Sequence, residues 1–213
     1  MKHVEPAQIA ALLRPYATAT EKLVSDISIY IDILLKWNSK ISLTSVRDPQ
    51  QMVSRHFGES LFLAENLLHP EWHGTVVDVG SGAGFPGLPV AMYSSMADVT
   101  LIESQGKKAA FLNEVIYALK LKNVRVFHGR AEQFSARADL ITLRAVEEFE
   151  RALRIALDLV KVGGRVALMV GQAQVGKARL LSSDFKWEQP AKVPEGQSRV
   201  LLVGTKIVNV EQR

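Results

Sequence analysis

From residue 75 onward, five short apolar runs, Thr75–Val79, Val99–Glu103, Val124–His128, Asp139–Leu143 and Arg165–Val170, alternate with stretches of helical length near 87–95, 106–120 and 148–160. Such alternation builds βαβ units, and a chain of them can bury its strands only in a parallel sheet with helices on both faces. Gly163-Gly164 marks the turn into the fifth strand. Two further β-rich pieces, Trp187–Val193 and Arg199–Ile207, are joined by Pro194-Glu195-Gly196 and read as a hairpin, so the expected sheet has seven strands and ends antiparallel. The fold class is therefore α/β and Rossmann-like.

Before residue 70 the period is different. Leu23, Ile27, Tyr30/Ile31 and Leu34 recur at helical spacing, as do Met52/Val53, Phe57, Leu61 and Leu68. The segment Trp37–Thr44 breaks that pattern, Asp48-Pro49 offers a second helix start, and His69-Pro70 closes it. Residues 1–70 are thus expected to form a helical cap belonging to the same globule as a sheet domain spanning 71–213. Neither an internal repeat nor a low-complexity run is present.

The 213 residues contain no cysteine, which excludes disulfides and thiolate zinc sites and suits a reducing compartment, the cytoplasm. No apolar run has the length of a membrane span and the N-terminus has no signal-peptide core, so a soluble protein is expected. The net charge of +4 leans only slightly toward a polyanionic partner. His69 and His73 are separated by Pro70 and cannot form a helical ligand pair, and no metal is expected.

The first run leads directly into Gly80-Ser81-Gly82-Ala83-Gly84-Phe85-Pro86-Gly87. At the carboxyl edge of a parallel sheet, a turn free of side chains lets backbone N–H groups approach a polar ligand. Gly82, Gly84 and Gly87 have the spacing of a dinucleotide fingerprint, but the strand already closes at Gly80 and Pro86 removes an N–H, so the triple Gly80, Gly82, Gly84 fits better. Together with Asp78 and with Glu103 at the end of the second run, this is similar to class I S-adenosylmethionine-dependent methyltransferases. Glu103 can accept both ribose hydroxyls of such a cofactor; otherwise it is a solvated strand end. Asp78 either belongs to that site or accepts N–H bonds from its own loop. Past the third strand, Ala131 offers a backbone N–H to the adenine ring and Glu132 packs or accepts beside it; alternatively, Glu132 simply starts a helix.

The order GSGAGFPG, IESQGKKAAFL, GRAEQF and LRAV, preceded by WNSKISLT and RHFGESL, resembles the bacterial small-subunit ribosomal RNA guanine-N7 methyltransferases, over about residues 30–171. The resemblance implies S-adenosylmethionine as cofactor and 16S ribosomal RNA or the small ribosomal subunit as partner. It assigns cofactor contacts to Gly80, to Phe85 packing on the cofactor, to Ala131 and Glu132, and to Arg144, which reaches the cofactor carboxylate or an RNA phosphate unless it pairs with Glu147 or Glu148. The sequence departs from the family pattern at Ser42, usually Asn, at Glu59, usually Asp, and at Val170, usually Lys.

Guanine N7 carries an in-plane lone pair and no proton, so methyl transfer to it calls for alignment, not a general base. No indispensable acid or base is expected, with Arg144 the one candidate catalytic residue. N7 is hidden in the major groove of an A-form helix, so the target must come from an open element of the RNA. Lys36, Lys40, Arg47, Arg55 and His56 form a candidate RNA-binding patch, the alternative being a solvated positive face. Trp37 reads as a core anchor before a base-stacking residue. A monomer is expected. Two rival functions remain at this stage: a methyltransferase of the same fold acting on a small molecule or protein, and a non-catalytic RNA-binding assembly factor.

Overall fold

Thr20 and Asp48 each begin a helix of the N-terminal cap for a local reason. The side chain of Thr20 accepts from the Leu23 N–H at 3.2 Å and that of Asp48 from the Gln51 N–H at 3.0 Å, each satisfying a donor that a helix start leaves open. The computed structural model describes residues 4–145, 148–196 and 198–208. Its cap comprises α1 (Pro6–Leu13), α2 (Glu21–Asn38), α3 (Pro49–Met52), a π-helical turn (Val53–Gly58) and α4 (Glu59–Leu67). There follow β1 (Thr75–Val79), α5 (Gly87–Tyr93), β2 (Asp98–Glu103), α6 (Gly106–Ala118), β3 (Val124–His128), β4 (Ala138–Arg144), α7 (Phe149–Asp158), β5 (Val160–Gly171), α8 (Val175–Leu180), β6 (Phe185–Trp187), β7 (Ala191–Lys192) and β8 (Arg199–Lys206).

The strands lie in the order β3-β2-β1-β4-β5-β8-β6, parallel from β1 to β5, with β8 antiparallel to β5. The sheet therefore has eight strands, not the expected seven. The difference lies at one edge, where the anticipated strand Trp187–Val193 is broken into β6 and β7, both antiparallel to β8. Pro190, between them, has no N–H to give to a ladder. The fifth strand also starts earlier than expected and runs through Gly163, whose φ of 76° accommodates an irregularity in the β4–β5 register. Helix α8 carries no strong apolar period and was not foreseen.

Alternation along the strands divides the core in two. Val76, Leu101, Leu140, Met169 and Leu201 face the cap together with α5 and α6, whereas their neighbours Val77, Ile102, Ile141, Leu168 and Leu202 face α7 and α8. Burying each such side chain is worth about 1.5–3 kcal/mol, so the cap helices and the sheet share one apolar cluster. Tyr30 of α2 is central to it: its ring stacks on Phe85 at 5.4 Å and meets Phe57 edge-on at 5.0 Å, and its hydroxyl donates to the carbonyl of Ala83.

That contact explains one of the loop glycines. Gly84 has φ +84°, and a Cβ on it would stand 2.3 Å from the Tyr30 hydroxyl oxygen and 2.5 Å from Leu88 Cδ1. Gly84 is thus bare to admit protein, and the expectation that it makes room for a ligand is corrected. Gly82, at φ +55°, differs: a Cβ there would meet only the Gly80 carbonyl oxygen, at 3.8 Å. Gly84→Ala is expected to lower stability by roughly 2–5 kcal/mol, from the left-handed backbone plus overpacking, and Gly82→Ala by only about 1–2 kcal/mol. Urea unfolding midpoints of the two variants check the difference; equal midpoints would show that Tyr30 does not seat on Gly84.

Candidate active site

The strand order reverses direction between β1 and β4, and the carboxyl ends of the strands there open into a cleft of about 510 Å³. Open α/β sheets bind their ligands at such a point. Gly80, Gly82, Phe85, Glu103, Arg55, His56 and Arg144 all line it, joined by Thr44, Lys108 and Arg199.

Glu103, only 5% exposed at the end of β2, accepts from the Gly82 N–H at 2.9 Å and from the Gln105 N–H at 2.7 Å. A carboxylate offers about four acceptor positions. Two are spent on fixing the glycine loop, and the other two remain for a ligand in the cleft. Asp78, in contrast, is 1% exposed and points away: it accepts from the Gly87 N–H at 3.2 Å and from the Thr142 hydroxyl at 2.7 Å, and burial raises its pKa against the lowering effect of those bonds. It braces β1 against α5 and β4, which settles the choice between its two readings in favour of the loop.

Phe85 lines the cleft and packs within the protein's own aromatic cluster, with Tyr30 stacked on it at 5.4 Å and His56 at 4.9 Å. Ala131 and Glu132 lie in a short 3-10 turn after β3 and are not among the cleft-lining residues. Glu132 is exposed and pairs with Arg151 at 2.6 Å; its own backbone N–H and that arginine hold its carboxyl below the usual range.

Arg144, at the end of β4, turns into the cap. Its guanidinium lies 3.1 Å from Glu59, donates to the Arg55 carbonyl at 2.6 Å and to the His56 carbonyl at 3.4 Å, and approaches His56 Nδ1 at 3.3 Å. Of its two anticipated partners, Glu147 lies outside the described residues and Glu148 pairs instead with Arg151 at 2.9 Å. The same Glu59 oxygen accepts from Arg199 of β8 at 2.6 Å. One carboxylate thus ties the ends of β4 and β8 to the start of α4, immediately after the π-helical turn that carries Arg55 and His56. Burial lowers the Arg144 pKa to about 10, and Glu59 offsets part of that, so it stays charged at neutral pH.

The basic patch divides. Arg55 and His56 reach the cleft; Lys36 pairs with Glu114 at 3.3 Å, and Arg47 donates to the Asn38 carbonyl at 2.8 Å, while Lys40 is exposed away from the lining. Trp37 is an anchor, with its indole N–H on Glu114 at 2.8 Å and its ring edge-on to Phe111 at 6.0 Å. Sequence reasoning missed Arg199 and Lys108 as cleft residues. The signal for Arg199 was a lone cation opening the apolar run RVLLVG. Of the departures, Ser42 is exposed in a loop, Glu59 forms the double ion pair, and buried Val170 borders a cavity of about 170 Å³ beside Arg144 and Arg199. No set of three or more His, Asp or Glu among the described residues is placed to hold a metal ion.

A doubly wound sheet with an antiparallel last strand, and a cleft between a glycine loop and an acidic strand end, define the class I methyltransferase fold. Solved structures of that kind superimpose on the chain: the ribosomal protein L11 methylase of Lactobacillus delbrueckii subsp. bulgaricus, with a TM-score of 0.62 and 13% identity over 73% of this chain and 80% of that one, and M. jannaschii TYW2 in complex with AdoMet, with a TM-score of 0.60 and 19% identity over 79% and 78%. Sequence comparison is more specific. The family model for rRNA small subunit methyltransferase G matches residues 23–198. The ribosomal RNA small subunit methyltransferase G of Chloroflexus aggregans is 34% identical over 86% of this chain and 82% of that protein, and the one from Neisseria meningitidis serogroup B is 40% identical over 75% and 76%. The chain belongs to the rRNA small subunit methyltransferase G family.

Two outcomes follow from the Arg144 cluster. Glu59→Gln leaves a buried guanidinium without its counter-charge and is expected to cost about 3–5 kcal/mol in urea unfolding, with Glu59→Asp in between. Burial first, then Arg144, Arg199 and Arg55, lower the His56 pKa to about 3, while the Arg55 carbonyl opposes them. The unfolded histidine takes up a proton below its ordinary pKa of about 6.5, which the folded one does not, so stability falls with pH between about 6.5 and 3. His56→Asn, which keeps an acceptor for Arg144, is expected to flatten that slope by up to about 1.4 kcal/mol per pH unit. Parallel pH–stability curves for the two proteins would refute the assignment.

Proposed function

We propose that the protein is an S-adenosylmethionine-dependent methyltransferase acting on N7 of a guanine in 16S ribosomal RNA. The observation that carries the reading is the pairing of Glu103 with Gly82: a nearly buried carboxylate with acceptor positions to spare, beside a loop position where a side chain would project into the open cleft. That combination suits a nucleoside with two ribose hydroxyls and a net positive charge. Bound there, S-adenosylmethionine supplies an electrophilic methyl group on sulfonium sulfur.

In this reading Glu103 grips the ribose and the backbone at Gly80 and Gly82 lies against the polar part of the cofactor. Ala131 and Glu132 come into play only at the outer end of the site, if the adenine reaches past β2. Arg144 acts chiefly on the protein: it holds the carbonyls of Arg55 and His56 and so fixes the wall that faces the target base. Arg55, Arg199 and Lys108 supply cations along that wall for RNA phosphates. No residue has to move a proton before attack, because N7 is already a free lone pair. Orientation does the work, and in favourable cases it lowers a barrier by roughly 7–11 kcal/mol. Residues 1–70 serve as a cap that presents the RNA-facing wall, and residues 71–213 as the cofactor-binding domain. A monomer acting in the cytoplasm on the small ribosomal subunit belongs to the same reading.

Isothermal titration with S-adenosylmethionine tests the cofactor half. Glu103→Ala, which removes the sugar contact and strands the Gly82 and Gln105 N–H groups, is expected to weaken binding by at least about tenfold. Unchanged affinity would refute the site. For the substrate half, labelled cofactor is incubated with small subunits lacking the mark, and the RNA is mapped for N7-methylguanine. Label in a metabolite extract but not in RNA would point to a small-molecule acceptor, and no turnover on any ribosomal substrate to an assembly factor.

A further inference from the structure

A second cavity, of about 710 Å³, adjoins the cleft, and Arg55 and Arg199 line both. It contains neither the glycine loop nor Glu103, and its walls include Tyr16, Asp48, Gln51, Ser54 and Glu195. Its volume lies in the range that encloses a small-molecule ligand. Tyr16, beyond the end of α1, is held firmly: its ring is seated on Gly58, where a Cβ would stand 2.7 Å from Tyr16 Cδ2, and its hydroxyl lies 3.4 Å from Glu195 Oε2. Burial, then the charges of Glu195 and Glu59, push this phenol up to about 12, so it keeps its proton and stays neutral.

The two arginines mark where the charge of a shared ligand goes. Arg199 gives one nitrogen to Glu59 at 2.6 Å, and a guanidinium has five N–H donors, so most of them remain. Arg55 is exposed. A phosphate reached by both therefore sits at the boundary, open to either cavity. Deeper in the second cavity the sign changes. Glu195 and Asp48 are carboxylates, although one oxygen of Asp48 is spent on the Gln51 N–H at 3.0 Å, and Tyr16, Gln51 and Ser54 are uncharged. Such walls repel a phosphate, but they suit the edge of a nucleobase: the carboxylates accept from its N–H groups, and the amide and the hydroxyl both donate and accept.

Single-stranded RNA is recognised through unstacked bases splayed away from one another, and one phosphate joins each nucleotide to the next. We propose that the cavity walled by Tyr16, Gln51 and Ser54 is a subsite for the nucleotide next to the target guanine, its base inside the cavity and the phosphate that joins the two held between Arg55 and Arg199; the assignment rests on the ribosomal RNA reading above. Two cavities that share one cationic boundary take two bases only from a strand opened at that linkage. A stacked helix keeps both bases together and fills neither.

The test uses small subunits reconstituted with 16S RNA that is either unmodified or made abasic at the nucleotide on one side or the other of the methylated guanine. kcat/KM is measured for the wild type and for Ser54→Phe, whose ring fills the cavity, and the Kd for S-adenosylmethionine checks that the variant is folded. The abasic site is expected to cost the wild type about tenfold on one of the two sides, and Ser54→Phe to lose about tenfold on unmodified RNA but less than about twofold more on that abasic RNA, because the lost base and the filled cavity remove the same contact. An effect of the missing base on the RNA's own fold falls on both enzymes alike and cancels in the comparison. Where Ser54→Phe does not bind the cofactor, Gln51→Trp, at an exposed position on the same wall, takes its place in the cycle. Indifference of the wild type to both abasic sites, or losses that multiply, would overturn the proposal. Failure of the wild type to methylate the unmodified RNA would instead overturn the ribosomal RNA reading, so the two failures are told apart.

Discussion

The hydroxyl of Tyr30 donating to the Ala83 carbonyl is the contact on which the rest of the site depends. It is fully buried, and it joins the longest helix of the cap to the turn that ends the first strand. Burial pushes the Tyr30 phenol well above its ordinary pKa, so it remains a donor at any pH the protein meets. The ring of the same residue carries Phe85, which in turn carries His56, so the cap and the glycine loop are aligned by one aromatic stack. Loss of the phenol would leave a buried carbonyl unpaired and loosen both walls of the cleft together.

A second layer of organisation is electrostatic. Glu59 holds two arginines from different strands with one oxygen, and Glu103 holds the loop with both of its own. Both carboxylates do structural work on the protein, and Glu103, which also lines the cleft, has acceptor positions left toward it. The cofactor end is acidic and the opposite end cationic. A cationic methyl donor and an anionic RNA would each meet the complementary charge.

Most of what is local in this site could be read from the chain. The glycine loop, Glu103 and the βαβ alternation are signalled by residues a few positions apart, because strand closure, turn conformation and core periodicity are short-range properties. What escaped was long-range. Glu59 meets Arg199 across 140 positions of sequence, and nothing near either residue announces the other. Asp78 and Gly84 sit inside a ligand-like motif yet serve packing, since their true neighbours, Thr142 and Tyr30, come from elsewhere in the chain. The break between β6 and β7 was visible in Pro190, but its effect on the strand count depended on the pairing with β8.

Strand β8 runs antiparallel between β5 and the broken edge, and its first residue is Arg199. The cationic wall of the cleft is consequently assembled from sequence-distant pieces, the π-helical turn near the beginning of the chain and a strand near its end, whereas the glycine loop and Glu103 come from adjacent elements. The cationic side of the cleft is therefore complete only when β8, the last strand of the chain, has paired with β5.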